Sequence, residues 1–331
     1  MLKTANLSKV TVLEIKTAVN TDFAKKINNL LLLPLIGLAV FMFLWHVAAK
    51  NIDTSLGQFP GPAQVLEQAH TLVDAHFVER EKADAFYLRQ EERNAARLAQ
   101  DPTYEAKIRP YTGKPTFFDQ IWTSLYTVMV GFIIASLIAV PLGILCGLSQ
   151  PAYAAINPLI QLFKPVSPLA WLPLVTMVVS ALYVSDDPLF SKSFLTSAFT
   201  VSLCCLWPTL VNTAVGVSGI NQDLLNVSKV LTLSKWSHIR KIVLPSSIPM
   251  IFTGLRLSLG IGWMVLIAAE MLAQNPGLGK FVWDEFQNGS SDSLARIMVA
   301  VLVIGMIGFI LDRLMLTIQG YVSWDKSAVL R

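Results

Sequence analysis

The sequence predicts an all-α integral membrane protein with six transmembrane helices and both termini in the cytoplasm. Three observations carry that reading. Of 331 residues, 53% are hydrophobic and 15% charged, with a mean hydropathy of +0.54; a soluble domain has about 45–50% apolar and about 25% charged residues. Six mostly apolar stretches of about twenty residues or more are long enough to cross a hydrocarbon core about 30 Å thick. Positive charge gathers in alternate flanking segments, as cytoplasmic loops do. The net charge of +4 is small and dispersed, so nucleic-acid binding gains no support. Cys146, Cys204 and Cys205 lie inside apolar segments, and His46, His70, His76 and His238 share no ligand spacing. Neither a disulfide nor a metal centre is expected.

The N-terminal tail, residues 1–29, holds Lys3, Lys9, Lys16, Lys25 and Lys26 against Glu14 and Asp22, which places it inside. Residues 30–49, LLLLPLIGLAVFMFLWHVAA, carry no charge and form the first span. Both that run and the tail before it are too long for a cleaved signal peptide, so it reads as an uncleaved anchor. Residues 50–120 are polar and fall outside. Their centre, FVEREKADAFYLRQEERNAARLAQ, is rich in helix formers and ends at Asp101-Pro102. Arg89, Arg93 and Arg97 recur every fourth residue and predict one basic stripe, either a solvated helix face or a docking surface for an external partner.

A core of five further spans occupies residues 121–320. The second span is residues 122–148. The third, 156–182, is interrupted by Pro165, Pro168 and Pro173, with Trp171 among them. Prolines bend a membrane helix where a cavity or a neighbouring helix satisfies the freed carbonyls, so this is either packing or a gating point. The fourth, 194–217, repeats the theme with Trp207-Pro208 and Asn212. The loops 183–193 and 274–295 carry more acid than base and fall outside, whereas 218–250 is basic and falls inside. That inner loop contains VSKVLTLSKWSHIRKIVLPSSIP, read as an amphipathic helix with Lys229, Lys235, His238, Arg240 and Lys241. Its apolar edge, Val230, Leu233 and Trp236, suits a partner groove, with the basic residues facing that partner or anionic headgroups.

Charge inside a span is costly and marks candidate function. The fifth span, 251–272, holds Arg256 and Glu270, about 21 Å apart and nearly in phase on a helix. Ser258, Gly260, Gly262 and Trp263 lie between them. Two readings stand: both charges pair with neighbouring helices, or their face lines a path for a small polar solute. The sixth span is 297–318, and residues 321–331 are an inner tail. No G-x-x-x-x-G-K-[ST] occurs, and GLGKF at 277–281 lacks both the spacing and the hydroxyl. With no nucleophile motif either, the chain is not expected to be an enzyme. Energy for uphill movement must come from a partner or an ion gradient.

The inner loop carries a further pattern. Asn226-Val227-Ser228 precedes Thr232 by the spacing of E-A-A, three residues and G; nine residues later come Ile242-Val243-Leu244-Pro245, an I-x-L-P. This resembles the cytoplasmic signature of permease subunits of binding-protein-dependent ABC importers, with Asn226 at the acidic position and Thr232 at the glycine. PVSPLAWLPL, LWPTLVNTAVGV, LPSSIPMIFTGLRLSLGIGWMVLIAAEML, FVWDEFQN and, earlier, FPGPAQVLE look like the subfamily for nitrate, nitrite, cyanate and bicarbonate. Sulfonate and taurine permeases share the plan. The resemblance covers about residues 30–70 and 118–320 and leaves out the charged insertion at about 75–115.

The resemblance implies a type I importer transmembrane domain in a bacterial inner membrane. Two permease chains, expected to be identical, form a pore. Two cytoplasmic ATPases consume ATP and Mg, and a periplasmic or lipid-anchored solute-binding protein delivers the anion, with nitrate favoured over bicarbonate. The chain itself is expected to bind no cofactor. The segment at about 226–245 would couple to the ATPase through Asn226, Val227, Ser228, Lys229, Thr232, Lys235, Trp236, Arg240, Ile242, Leu244 and Pro245. The path would draw on Arg256, Trp263, Glu270, Pro168, Trp171 and Asn212, with Arg256 meeting the anion and discontinuous helices near Pro168 presenting amides. A gradient-driven transporter and a membrane scaffold are the rivals; the first would need midplane relays, and the second would not explain the I-x-L-P.

Overall fold

A computed structural model of the chain describes residues 32–54, 57–101, 103–184, 189–290 and 292–322. The two tails assigned to the cytoplasm lie outside the described residues, apart from Tyr321 and Val322. Two units divide the chain, residues 1–67 and 68–331.

The first unit contains α1 (Leu33–Asn51), a short antiparallel pair β1 (Asp53–Thr54) and β2 (Gly57–Gln58), and the first turns of α2 (Pro62–Gln100). Within it, Trp45 and Ala49 are the buried residues of α1, and its other apolar side chains except half-buried Ala48 are exposed, as lipid contact requires. The Trp45 indole donates to the Pro60 carbonyl at 3.1 Å, which ties the chain back onto the helix end.

The second unit takes in the remainder of α2, then α3 (Phe117–Leu148), α4 (Gln150–Phe163), α5 (Pro168–Leu182) and α6 (Lys192–Ser218). After these come α7 (Gln222–Val230), α8 (Lys235–His238), a π-helical turn at Ile239–Val243, α9 (Leu244–Ala273), α10 (Leu278–Asn288) and α11 (Ser293–Val322). Its core is α6 between α3 and α9. Small residues let the backbones meet, as apolar helices in lipid require. A Cβ on Gly143 would fall 2.6 Å from Thr213, and one on Gly262 2.5 Å from the Cys205 sulfur. Inside this packing the Thr209 and Ser258 hydroxyls share a 2.6 Å hydrogen bond, and Ser258 also donates to the Cys205 carbonyl at 2.5 Å.

Four spans match the prediction in place and character: α1, α3, α6 and α11 are long and apolar enough to cross a membrane, as is the continuous run Lys235–Ala273 for the fifth. The third span differs. Its two halves, α4 and α5, meet at 102° across residues 164–167. Pro165 and Pro168 bracket this break, and Ser167 restarts the helix by accepting from the Leu169 amide at 3.3 Å.

The polar segment is more ordered than a loop. Its helix starts fifteen residues before the predicted helical centre, at Pro62, and ends at Gln100, just before the Asp101-Pro102 stop. Residues 103–116 then return along α2 as an extended strap. Gln90 binds the backbone of Arg109 in both directions, accepting from its amide at 2.8 Å and donating to its carbonyl at 2.9 Å. Asn94 donates to the Lys107 carbonyl, and Tyr87 accepts from the Tyr111 amide at 3.0 Å. Thr116 and Asp119 close a capping box that starts α3, and Arg80 pairs with Asp119. Arg89 and Arg93 remain exposed, while Arg97 stacks over the Tyr104 ring.

Candidate functional site

The segment at 226–245 is not one helix. Lys229 sits on α7, Lys235 and His238 on α8, and Arg240 and Lys241 in the π turn. Asn221 caps the start of α7 by accepting from the Asp223 amide at 2.9 Å. The helix ends at Val230, and the chain reverses through Thr232, whose φ is +47°. The Thr232 amide donates to the Lys229 carbonyl at 3.1 Å and the Leu233 amide to the Ser228 carbonyl at 3.2 Å. That pair of bonds is a Schellman cap, which places glycine at the left-handed position because a Cβ is strained there. Thr232 therefore stands at a position where helix-end geometry favours glycine.

Across the turn, Ser228 and the His238 Nδ1 are hydrogen-bonded at 2.7 Å, which staples α7 to α8. The following turn widens into a π turn because Pro245 has no N–H to return to Lys241. Val243 is fully buried with Val217 and Ile220, which anchors the segment to the end of α6. Ile242 and Pro245 are half-buried, and Leu244 is exposed. The apolar edge is open: Val230 is 82% and Trp236 71% exposed, beside Val227 and Leu231, whereas Leu233 is half-buried. Asn226, Lys229, Lys235, Arg240 and Lys241 are exposed around it.

The two charges of the fifth span are both bound, one by an ion pair and the other by hydrogen bonds. Arg256 on α9 binds Asp312 on α11 through both carboxylate oxygens, Nε–Oδ1 at 2.5 Å and Nη2–Oδ2 at 3.0 Å. Glu270 is fully buried. It accepts from the Ser124 hydroxyl of α3 at 2.8 and 2.9 Å, from the Gly279 amide at 3.0 Å and from Asn275 at 3.4 Å. Ser124 in turn accepts from the Leu278 amide at 2.8 Å, so the carboxylate fastens the N-P-G-L-G turn to α3. Gly277 is required there by close approach, since a Cβ would collide with that carboxylate.

Of the two readings of these charges, the geometry accords with contacts to neighbouring helices: Arg256 meets α11, and Glu270 meets α3 and the turn. Trp263 is buried and donates to the Ile304 carbonyl at 3.0 Å. The Asn212 amide turns onto its own helix, donating at 2.8 Å to the Pro208 carbonyl. Trp171 lines a wholly apolar groove of about 660 Å³ between α5 and α6, and Pro168 opens α5 beside it. Reading α9 as the carrier of the intramembrane charge missed Asp312 and Arg313. Two adjacent charges inside the last apolar run were the signal; Ser124 and Asn275 gave none.

Among the described residues, five helices apolar and long enough to cross a membrane, a bent pair broken at Pro165 and Pro168 that makes a sixth candidate span, and an exposed amphipathic segment fastened to the central helix describe a multi-spanning membrane protein. Residues 139–320 match the family of binding-protein-dependent transport system inner membrane components. The chain is 31% identical over 289 residues to the nitrate import permease protein NrtB of Synechocystis sp., covering 87% of this chain and 88% of the relative. It is 32% identical over 304 residues to the bicarbonate transport system permease protein CmpB of Synechococcus elongatus, covering 91% and 90%. A chain of the MetNI methionine ABC transporter in an inward-facing conformation has the same fold, with a TM-score of 0.54 at 13% identity, over 62% of this chain and 96% of that one. The chain belongs to this family: it is an inner-membrane permease subunit of an ABC importer.

Proposed function

We propose that the chain is the permease subunit of an ATP-driven importer for a small inorganic anion, nitrate first and its analogues nitrite and cyanate with it. Two copies would form the pore, and separate ATPase subunits would supply the energy, so that this chain holds neither ATP nor another cofactor. A periplasmic or lipid-anchored binding protein would deliver the anion. The observation that carries the coupling part is the fastened segment at 226–245, with its open edge of Val230 and Trp236 ringed by Lys229, Lys235, Arg240 and Lys241. An exposed aromatic among cations suits a partner groove rather than bulk water.

Similarity to relatives named for nitrate supports that anion, and the equal similarity to one named for bicarbonate keeps bicarbonate as the second reading. Reconstitution decides. In vesicles containing the permease, its ATPase and its binding protein, labelled nitrate should enter only with ATP and be stopped by vanadate. Preference for bicarbonate or taurine would replace the substrate, and uptake driven by an ion gradient without ATPases would overturn the proposal.

A further inference from the structure

The third span carries a charge of its own. Lys164 stands between α4 and α5, one residue before Pro165, and its side chain has no partner among the described residues. Lys164 is exposed, and so are Gln161, Pro165 and Ser167 beside it. Pro165 and Pro168 have no N–H to return to the Gln161 and Lys164 carbonyls, so two backbone acceptors are freed at the same place.

Packing on α6 gives the depth of this break. On one side of it, Ile160 of α4 is buried with Ala139 of α3 and Leu210 of α6. At the break itself, the Phe163 ring lies 6.1 Å from that of Trp207 and 5.5 Å from that of Trp171. On the other side, α5 and the first half of α6 share the groove lined by Trp171, Val175, Leu195 and Phe199. Trp207 is about 22 Å from the start of α6 (Lys192–Ser218) and about 16 Å from its end. The break therefore lies near mid-depth, where the four-carbon stem of a lysine is too short to bring its charge to either surface.

Hydrocarbon offers no donor to the freed carbonyls and no counter-ion to Lys164. Non-helical backbone persists at this depth only inside protein or against a water-filled cavity. This chain leaves the break uncovered. A second group agrees: the Trp207 indole nitrogen is buried and has no acceptor among the described residues. An ammonium and an indole N–H, both donors without a partner, thus stand at one break.

We propose that the break between α4 and α5 opens onto the translocation path and that Lys164 is its anion-contacting cation. The proposal rests on the anion-import reading above and names the residue that meets the anion. An oxyanion in that water supplies the counter-charge that no described side chain of this copy provides.

The test joins water access to charge rescue. Cys146, Cys204 and Cys205 are first replaced by alanine. In that background Lys164→Cys should react with a charged methanethiosulfonate, and Leu137→Cys should not. Leu137 is 71% exposed on α3, just before the Ala139 that packs with Ile160, and so samples lipid at a similar depth. Lys164→Cys should lower nitrate uptake by about tenfold, the loss expected for a hydrogen bond to a charged group, while co-purification with the ATPase is retained. The reagent that leaves an ammonium should restore uptake, and the anionic sulfonate reagent of similar size should not. No reaction at Lys164→Cys, equal reaction at Leu137→Cys, or equal rescue by both reagents overturns the proposal. In the native background, Lys164→Arg should keep uptake while Lys164→Gln raises the KM for the anion; identical behaviour of the two also overturns it. Failure of the unmodified protein to import any anion would instead sink the import reading, and the labelling contrast would still report whether the break meets water.

Discussion

Thr232 is a β-branched residue at φ +47°, where the fold asks for glycine. Holding a non-glycine residue in the left-handed region costs about 1–3 kcal/mol. Thr232→Gly removes that strain, and glycine's larger loss of chain entropy returns about 0.5–1 kcal/mol of the gain. The net effect should be about 1 kcal/mol in favour of the closed turn, or about fivefold in its opening equilibrium. The readout is hydrogen exchange at the Leu233 amide, whose bond to the Ser228 carbonyl, 3.2 Å long, exists only while the turn is closed. That amide should exchange about fivefold more slowly in the glycine variant. Thr232→Val keeps the branching and should leave the rate close to that of the unaltered chain. Thr232→Asn should fall between them, because asparagine tolerates this region better. Equal or faster exchange at Leu233 in Thr232→Gly would refute the assignment of strain to this turn.

Three other outcomes follow from the same geometry. Gly277→Ala, at an unstrained φ of −113°, should destabilise the purified protein by about 2 kcal/mol by displacing the Glu270 carboxylate; thermal unfolding in detergent reads this, and Glu270→Asp, by drawing the carboxylate back, should recover part of it. Arg256→Ala should cost about 2 kcal/mol by leaving Asp312 without this partner, and the double change R256M/D312M should recover most of the loss. On the strap, the Tyr111 hydroxyl donates to Glu79 at 2.7 Å, which holds the Glu79 carboxyl below its ordinary value and pushes the tyrosine up. Glu79's contribution is present above the ordinary carboxylate value and fades as pH falls through its lowered one; Tyr111's is present below its ordinary value and fades as pH rises through its raised one. Protection of the strap from proteolysis should therefore drop at both extremes, and Tyr111→Phe should remove the alkaline limb and weaken the acid one, since Lys82 also holds Glu79 down.

What could be read from the chain depended on whether the cause was local. Apolar runs fix where helices cross a membrane, so α1, α3, α6 and α11 were legible, and Pro165 with Pro168 marked the break between α4 and α5. The I-x-L-P and the glycine register located the segment at 226–245, because a Schellman cap is a property of consecutive residues. Its division into α7, α8 and a π turn was not legible, since the basic residues recur at a spacing one helix would also satisfy. The strap was invisible for a different reason: Gln90 and Asn94 look like solvated helix positions until residues 107–111 lie against them. Likewise Glu270 is satisfied by Ser124, 146 positions earlier, and no local pattern announces such a partner.

The two candidate regions are joined by continuous helix and by close packing. The π turn runs into α9 without a linker, the Leu244 amide donating to the Ile239 carbonyl, and Val243 is buried against the end of α6. From Pro245, Arg256 is about 17 Å along the same helix, and α9 is locked to α6 by the Gly262–Cys205 approach and the Thr209–Ser258 bond. Close-packed helices do not deform continuously; they shift as blocks between discrete arrangements. The contacts run without a gap from the segment holding Trp236 through α9 to Arg256, and by its two bonds to Asp312 on α11. The Arg256–Asp312 pair joins α9 to α11, so cutting it by Arg256→Ala should cost stability even where no solute is present.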